Sequence, residues 1–186
     1  TPIVAPHIVG DLRFSGCRIA ATQRLGEEGE GLAIAMATLD VFRPSVAAAA
    51  LGFATRALAE SIAQSNSRTQ FGQPISRFQG VSFMLADMAT EIEAARLLVY
   101  RAARLNDTGA PRSTLESSIA KYFATEIAQR VVDHAVQLHG GNGVVRGSVP
   151  ERLYREVRAL RIYEGTSEIQ KAVIARELNK RFTGGV

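Results

Sequence analysis

The sequence predicts a mainly α protein: an up-and-down, four-helix-bundle-like helical domain preceded by a short β remnant. Three observations carry that prediction. From Gly31 onward apolar residues recur at spacings of three and four, the period of helices with one buried face. Short polar turns join these stretches, which sets consecutive helices side by side. Ahead of residue 30 the period changes to two: Leu12 and Phe14 alternate with Arg13 and Ser15, then Cys17 and Ile19 with Arg18. Residues 1–29 are therefore read as a β-like remnant with its linker, and residues 30–186 as the helical-bundle domain. Two short strands do not make a stable sheet alone, so the head is expected to be the tail of a larger β unit.

Taken in order, the loop LGEEGEG leads into a first helix over residues 31–40. Asp40-Val41-Phe42-Arg43-Pro44 interrupts it, because proline disfavours helical backbone in the residue before it. Pro44 then opens a second helix, about 44–65, whose AAAALGFA run lets neighbouring backbones approach. The next helix carries one apolar stripe through Phe78, Val81, Leu85, Met88, Ile92, Ala95 and Val99. Turn formers from Asn106 to Pro111 end it. A further helix runs to about His139, apolar along Ile119, Phe123, Ile127, Val131, Ala135 and Leu138. HGGNG breaks it, a shorter helix follows, and the last helix covers Ser167 to about Arg181. Ser167 with Gln170 fits a capping box at its start, which leaves Glu164 on the approach to the helix rather than along its solvated face.

The composition, 46% hydrophobic and 22% charged, is ordinary for a globular chain. No apolar run reaches the length expected of a bilayer span, and the N-terminal residues lack the pattern of a signal peptide. Cys17 is the only cysteine, so a cytoplasmic location is the default expectation. A net charge of +4 does not mark a nucleic-acid binder here, because the arginines are spread among acidic residues without interleaved aromatics. A few well-placed arginines suit an anionic small ligand instead. His134 and His139 are five apart, on different helix faces, and no metal site is expected.

Four stretches stand out: LDVFRP (39–44), RTQFG (68–72), QLHGGNG (137–143) and YEGTSEIQ (163–170). Each alone also fits a plain structural role, such as a local ion pair, a helix stop, a tight turn or a first-turn charge favoured by the helix dipole. Together with their surroundings they are more specific. LGEEGEGLAIAMATLD, RPSVAAAALGFATRALAES, SRTQFGQPISRFQGVSFMLADMATEIEAARLLVYRAA, AVQLHGGNG and RIYEGTSEIQKAVIAREL resemble, in order and spacing, the C-terminal part of the acyl-CoA dehydrogenase family. The resemblance covers essentially the whole chain.

It implies an FAD-dependent α,β-dehydrogenation of an acyl-CoA thioester, in which a carboxylate removes the α-proton and the β-hydrogen leaves as hydride to flavin N5. The resemblance gives the base role to Glu164. A free glutamate, with a pKa of about 4.3, is a feeble base, and enclosure strengthens such a group near neutral pH. Some branches carry the base at the position of Phe42, which cannot serve. By the same resemblance Arg68, Phe71, Phe78 and Gln79 contact FAD held mainly by a neighbouring subunit. Gln137, Leu138, His139, Gly140 and Gly141 approach its adenosine-diphosphate end. Thr166, Ser167 and Glu168 touch FAD within the same active site, while Asp40, Arg43 and Gly165 meet the substrate. The implied partners are an electron-transfer flavoprotein or similar acceptor and further copies of the chain, typically a dimer of dimers, with no nucleic acid and no membrane. An acyl-CoA oxidase-like flavoenzyme and a non-catalytic helical oligomerisation or cofactor-clasp module are the alternatives.

Overall fold

A computed structural model describes residues 1–5, 9–109 and 112–184. The chain folds into α1 (Gly31–Ser67), a hairpin of β1 (Thr69–Gln70) and β2 (Gln73–Pro74), α2 (Gln79–Asp107), α3 (Thr114–His139), α4 (Val149–Leu160) and α5 (Ser167–Phe182). α3 is the hub, packed against α1, α2, α4 and α5. Ala110 and Pro111 of the expected turn lie outside the described residues.

The helix break expected at Pro44 does not occur. α1 is one continuous helix with Pro44 inside it. Proline lacks the N–H that would bond the Asp40 carbonyl one turn back. That carbonyl is recovered by α3, where Ser117 Oγ donates to it at 2.8 Å. The neighbouring Asp40 carboxylate accepts from Arg43 Nη1 at 3.0 Å and from Thr114 Oγ1. A tertiary contact thus replaces the bond the proline removes, and no local pattern encodes it. Ser117→Ala should destabilise the fold by about 1–3 kcal/mol, read as a lower urea midpoint at unchanged slope.

The alanine run does what small residues allow. Ala47, Ala50, Ala54 and Ala57 are fully buried, and Ala120, Ala124, Ala128 and Ala135 of α3 are equally so. The two longest-contacting helices therefore meet along a seam of methyl groups. One 18-residue window of α1 reaches a mean hydropathy of 1.4, long and apolar enough for a membrane span by length and composition, against the sequence expectation, and 22% of that window is buried. Alanine raises hydropathy, yet the Ala47–Ala57 row belongs to the bundle core. Met88, Ile92, Ala95 and Val99 of α2 are buried as predicted.

The head carries no strand among the described residues; the strands present are β1 and β2. Leu12, Phe14 and Ile19 are exposed, with nothing to pair against or cover them. The hairpin was not anticipated in RTQFG. Phe71 (φ 51°) and Gly72 (φ 81°) form its two-residue turn, in the left-handed geometry that matches strand twist.

Candidate active site

Glu164 sits on the turn between α4 and α5, at φ 54°, followed by Gly165 at φ 90°. Left-handed backbone is natural for glycine and strained for glutamate, so the surroundings must hold it. The turn is closed by Ser167 N–H donating to Arg161 O at 3.2 Å. It is anchored to α3 through Glu126, whose Oε1 accepts from Arg161 Nε at 2.8 Å and from Ser167 Oγ. Burial opposes ionisation of Glu126, but those two hydrogen bonds outweigh it and hold the carboxyl below the usual range.

The expected capping box is replaced by a different arrangement. The N-cap of α5 is Thr166, whose Oγ1 accepts from Ile169 N–H. Ser167 is one residue inside the helix and buried against Glu126. Gln170 is wholly buried, and its Nε2 donates to the carbonyls of Glu164 (3.0 Å) and Gly165 (3.2 Å). Thus the Ser167–Gln170 pair serves the turn rather than the helix end.

Lys121 of α3 completes the site. Its side chain has no solvent exposure, and Nζ donates to Gly165 O at 2.7 Å. Burial lowers its pKa to about 8, against the raising field of Glu164 and with Arg43 adding to the fall. Between about pH 8 and the usual 10.5 the unfolded chain therefore holds a proton that the folded one releases. Stability should rise with pH through that window, and Lys121→Met should flatten the rise; urea midpoints across the window check it.

The carboxylate oxygen Glu164 Oε2 is buried without a hydrogen-bond partner, as is Arg43 Nε. Among the described residues the backbone N–H groups of Glu164, Gly165 and Thr166 donate to no acceptor. A buried acceptor and a row of unused donors sit side by side, which suits a ligand carrying both a proton and a carbonyl oxygen. Tyr163 borders them, 40% exposed, its hydroxyl pKa raised by the partial burial of the ring and by Glu164.

Other predicted residues are placed as follows. Arg43 is buried, with Nη1 on Asp40 and on Ser118 Oγ at 3.5 Å, so neither Asp40 nor Arg43 turns its charge to solvent. Both belong to the buried cluster beneath the Glu164 turn. Leu138 and His139 face the core, and His139 Nδ1 lies 2.7 Å from Ala135 O; Gln137, Gly140 and Gly141 are exposed. Thr166 is half-buried and Glu168 exposed at the α5 start, where its own N–H and Thr166 lower its pKa. Arg68 is exposed and pairs with no carboxylate among the described residues. Phe78 is half-buried, edge-on to the exposed Phe71, and Gln79 begins α2. No three metal-ligating side chains converge among the described residues.

These residues form two groups. Asp40 and Arg43 meet the start of α3, while Arg101 pairs with Glu116 and Glu91 with Arg130, so α2 runs antiparallel to α3 and its Gln79 end, with the preceding hairpin and Arg68, lies toward the His139–Gly141 end. Lys121, under Glu164, is about 27 Å from that end at ~1.5 Å per residue. Arg68, Phe71, Phe78, Gln79, Gln137, Gly140 and Gly141 thus lie toward one end of the bundle, away from the Glu164 turn. An exposed arginine such as Arg68 suits a phosphate-bearing cofactor. Lys121 and Glu126 were missed by sequence reasoning.

Known proteins share this fold. The model for "Acyl-CoA dehydrogenase, C-terminal domain" matches residues 29–179. The chain is 45% identical over 171 residues to the caffeyl-CoA reductase-Etf complex subunit CarC of Acetobacterium woodii, covering 92% of this chain and 45% of that protein. It is 46% identical over 178 residues to acryloyl-CoA reductase (NADH) of Anaerotignum propionicum, covering 96% and 45%. The solved butyryl-CoA dehydrogenase of Megasphaera elsdenii superposes with a TM-score of 0.84 at 46% identity, over 87% of this chain and 42% of that one. The chain therefore spans less than half the length of these relatives, and over that span it belongs to the acyl-CoA dehydrogenase family, as its C-terminal helical domain.

Proposed function

We propose that this chain is the base-bearing helical part of an FAD-dependent acyl-CoA dehydrogenase, with Glu164 removing the α-proton of a bound acyl-CoA thioester. One observation carries the reading. Glu164 is held in strained backbone with a buried, unpartnered carboxylate oxygen beside backbone donors that no acceptor among the described residues uses. A carboxylate kept for structure is normally hydrogen-bonded; this one is left open to accept a proton.

In the proposed reaction a carboxylate oxygen of Glu164 takes the α-proton. The Glu164 N–H donates to the thioester carbonyl, and that bond strengthens as enolate charge develops on the oxygen, so it favours the transition state over bound substrate. FAD, when bound, accepts the β-hydrogen as hydride. Thr166 and Glu168 would face that flavin, and Gly165 would border the thioester. At the opposite end Arg68 would grip a pyrophosphate with its planar fork, while Gly140 and Gly141 admit close backbone contact. Because the two groups lie about 27 Å apart, we assign the second flavin to a neighbouring subunit, which makes the protein a homo-oligomer.

The named relatives act on acyl-CoA compounds in both senses, as reductases and as a dehydrogenase. The same glutamate serves either direction, returning the proton to the α-carbon in reduction. An electron-transfer flavoprotein is the proposed redox partner, as the name of the Acetobacterium relative implies for that protein. The residues outside this span would supply most of the flavin-ring surface, so the chain alone should neither hold FAD tightly nor turn over.

Anaerobic addition of an acyl-CoA to the complete assembly tests the reading by bleaching of flavin absorbance. Bleaching at an undiminished rate with Glu164→Gln would leave a non-catalytic module as the better account. Peroxide formation in air would mark an oxidase, and a yellow, active isolated chain would overturn the need for the missing part.

A further inference from the structure

We propose that Lys121 is the positioning residue of the Glu164 turn: its ammonium draws in the Gly165 carbonyl and so fixes the direction in which the base and its neighbouring N–H groups face. The inference rests on the reading of Glu164 as the base. A lysine with no solvent exposure is costly, and methionine or leucine would fill similar volume without that penalty. Its hydrogen bond to Gly165 O, at 2.7 Å, says where the charge is used.

The geometry follows from planar peptides. Lys121 holds the Gly165 carbonyl inward, and Gln170 holds those of Glu164 and Gly165. In a trans peptide the N–H points opposite to the C=O, so the Gly165 and Thr166 N–H groups are turned away from Lys121 and Gln170. The left-handed Glu164 is thereby pinned by two side chains from two helices, the over-determination that such backbone needs.

The charged groups facing Lys121 are Glu164 on the turn, Arg43 on α1, Glu126 on α3 itself and Glu168 on α5. Arg43 is engaged by Asp40, Glu126 by Arg161 and Ser167, and Glu168 lies exposed at the α5 cap. Glu164 is the one carboxylate among them with a buried unpartnered oxygen. Its charge and that of Lys121 are consequently coupled, and a proton taken up by Glu164 loosens the hold of Lys121 on its own.

Lys121, Lys171 and Lys180 are the only lysines, so side-chain NMR of the 186-residue chain labelled at lysine gives three resolvable signals. Lys121 is assigned by its through-space contact with Gly165. Its titration midpoint is expected near 8, and Glu164→Gln should lower it by on the order of one pH unit. Lys121→Met should move the Gly165 and Thr166 amide resonances and leave those of the Gly147–Glu151 cap in place. A Lys121 midpoint indifferent to Glu164→Gln, or unmoved turn amides in Lys121→Met, overturns the proposal. Should Lys121→Met fail to fold, the Glu164→Gln arm still decides, because it reads the native lysine. An active Glu164→Gln enzyme would remove the base reading while leaving this coupling intact.

Discussion

Glu164→Gln is expected to lower the rate of flavin reduction by an acyl-CoA by about 10²–10⁴-fold in the complete assembly, the usual worth of a positioned acid or base. The substitution conserves shape, so the turn and its anchors to Lys121, Gln170 and Glu126 should persist. What it removes is the proton acceptor at Oε2. The N–H of residue 164 stays, so acyl-CoA binding should weaken far less than the chemical step slows. Exchange of the α-hydrogen with solvent deuterium, followed in an acyl thioester that cannot be oxidised, isolates the same step from the flavin. Exchange at the native rate would show that another group abstracts the proton.

Gly143→Ala should destabilise the fold by about 3 kcal/mol or more. A Cβ there would lie 2.3 Å from the Val136 carbonyl oxygen and 3.1 Å from His139 Cβ. Backbone cannot yield as a flexible side chain does, so the α3 C-terminus would have to open. Gly141→Ala is the control: nothing lies within 4 Å of its added Cβ. It should leave stability within about 0.5 kcal/mol and weaken flavin binding alone, if the glycine is there to admit a cofactor. Thermal unfolding of the two variants, followed by FAD titration of the assembly, separates a packing glycine from a binding one.

The long periodic helices were legible because their stripes record packing directly: Met88, Ile92, Ala95 and Val99 lie where the spacing puts them. Pro44 was misread because the rule is local and the remedy distant, a serine 77 residues beyond the Asp40 carbonyl it satisfies. Lys121 was invisible for a related reason. Ser117, Lys121 and Thr125 step by four along α3 and look like its solvated face, yet all three are fully buried. A hub helix packed on several sides has no solvated face for polarity to mark there. A lysine in a chain with three lysines among 22 basic residues was the available signal. Glu164 itself was found through its neighbours in sequence, whereas the residues that hold it lie on other helices. Ser167 and Gln170 were read as a cap because the spacing fits one; the extended backbone of Thr166 (ψ 166°) moved the cap one residue earlier.

The left-handed backbone at Glu164 has a consequence for how such sequences drift. Glycine would relax that position by roughly 1–2 kcal/mol, and asparagine by part of it. A lineage that kept this fold for assembly alone would be rewarded for discarding the acid, while one still dependent on proton removal must tolerate a permanently ill-fitting residue. Loss of the carboxylate with retention of the turn would therefore be the evolutionary scar of a retired enzyme.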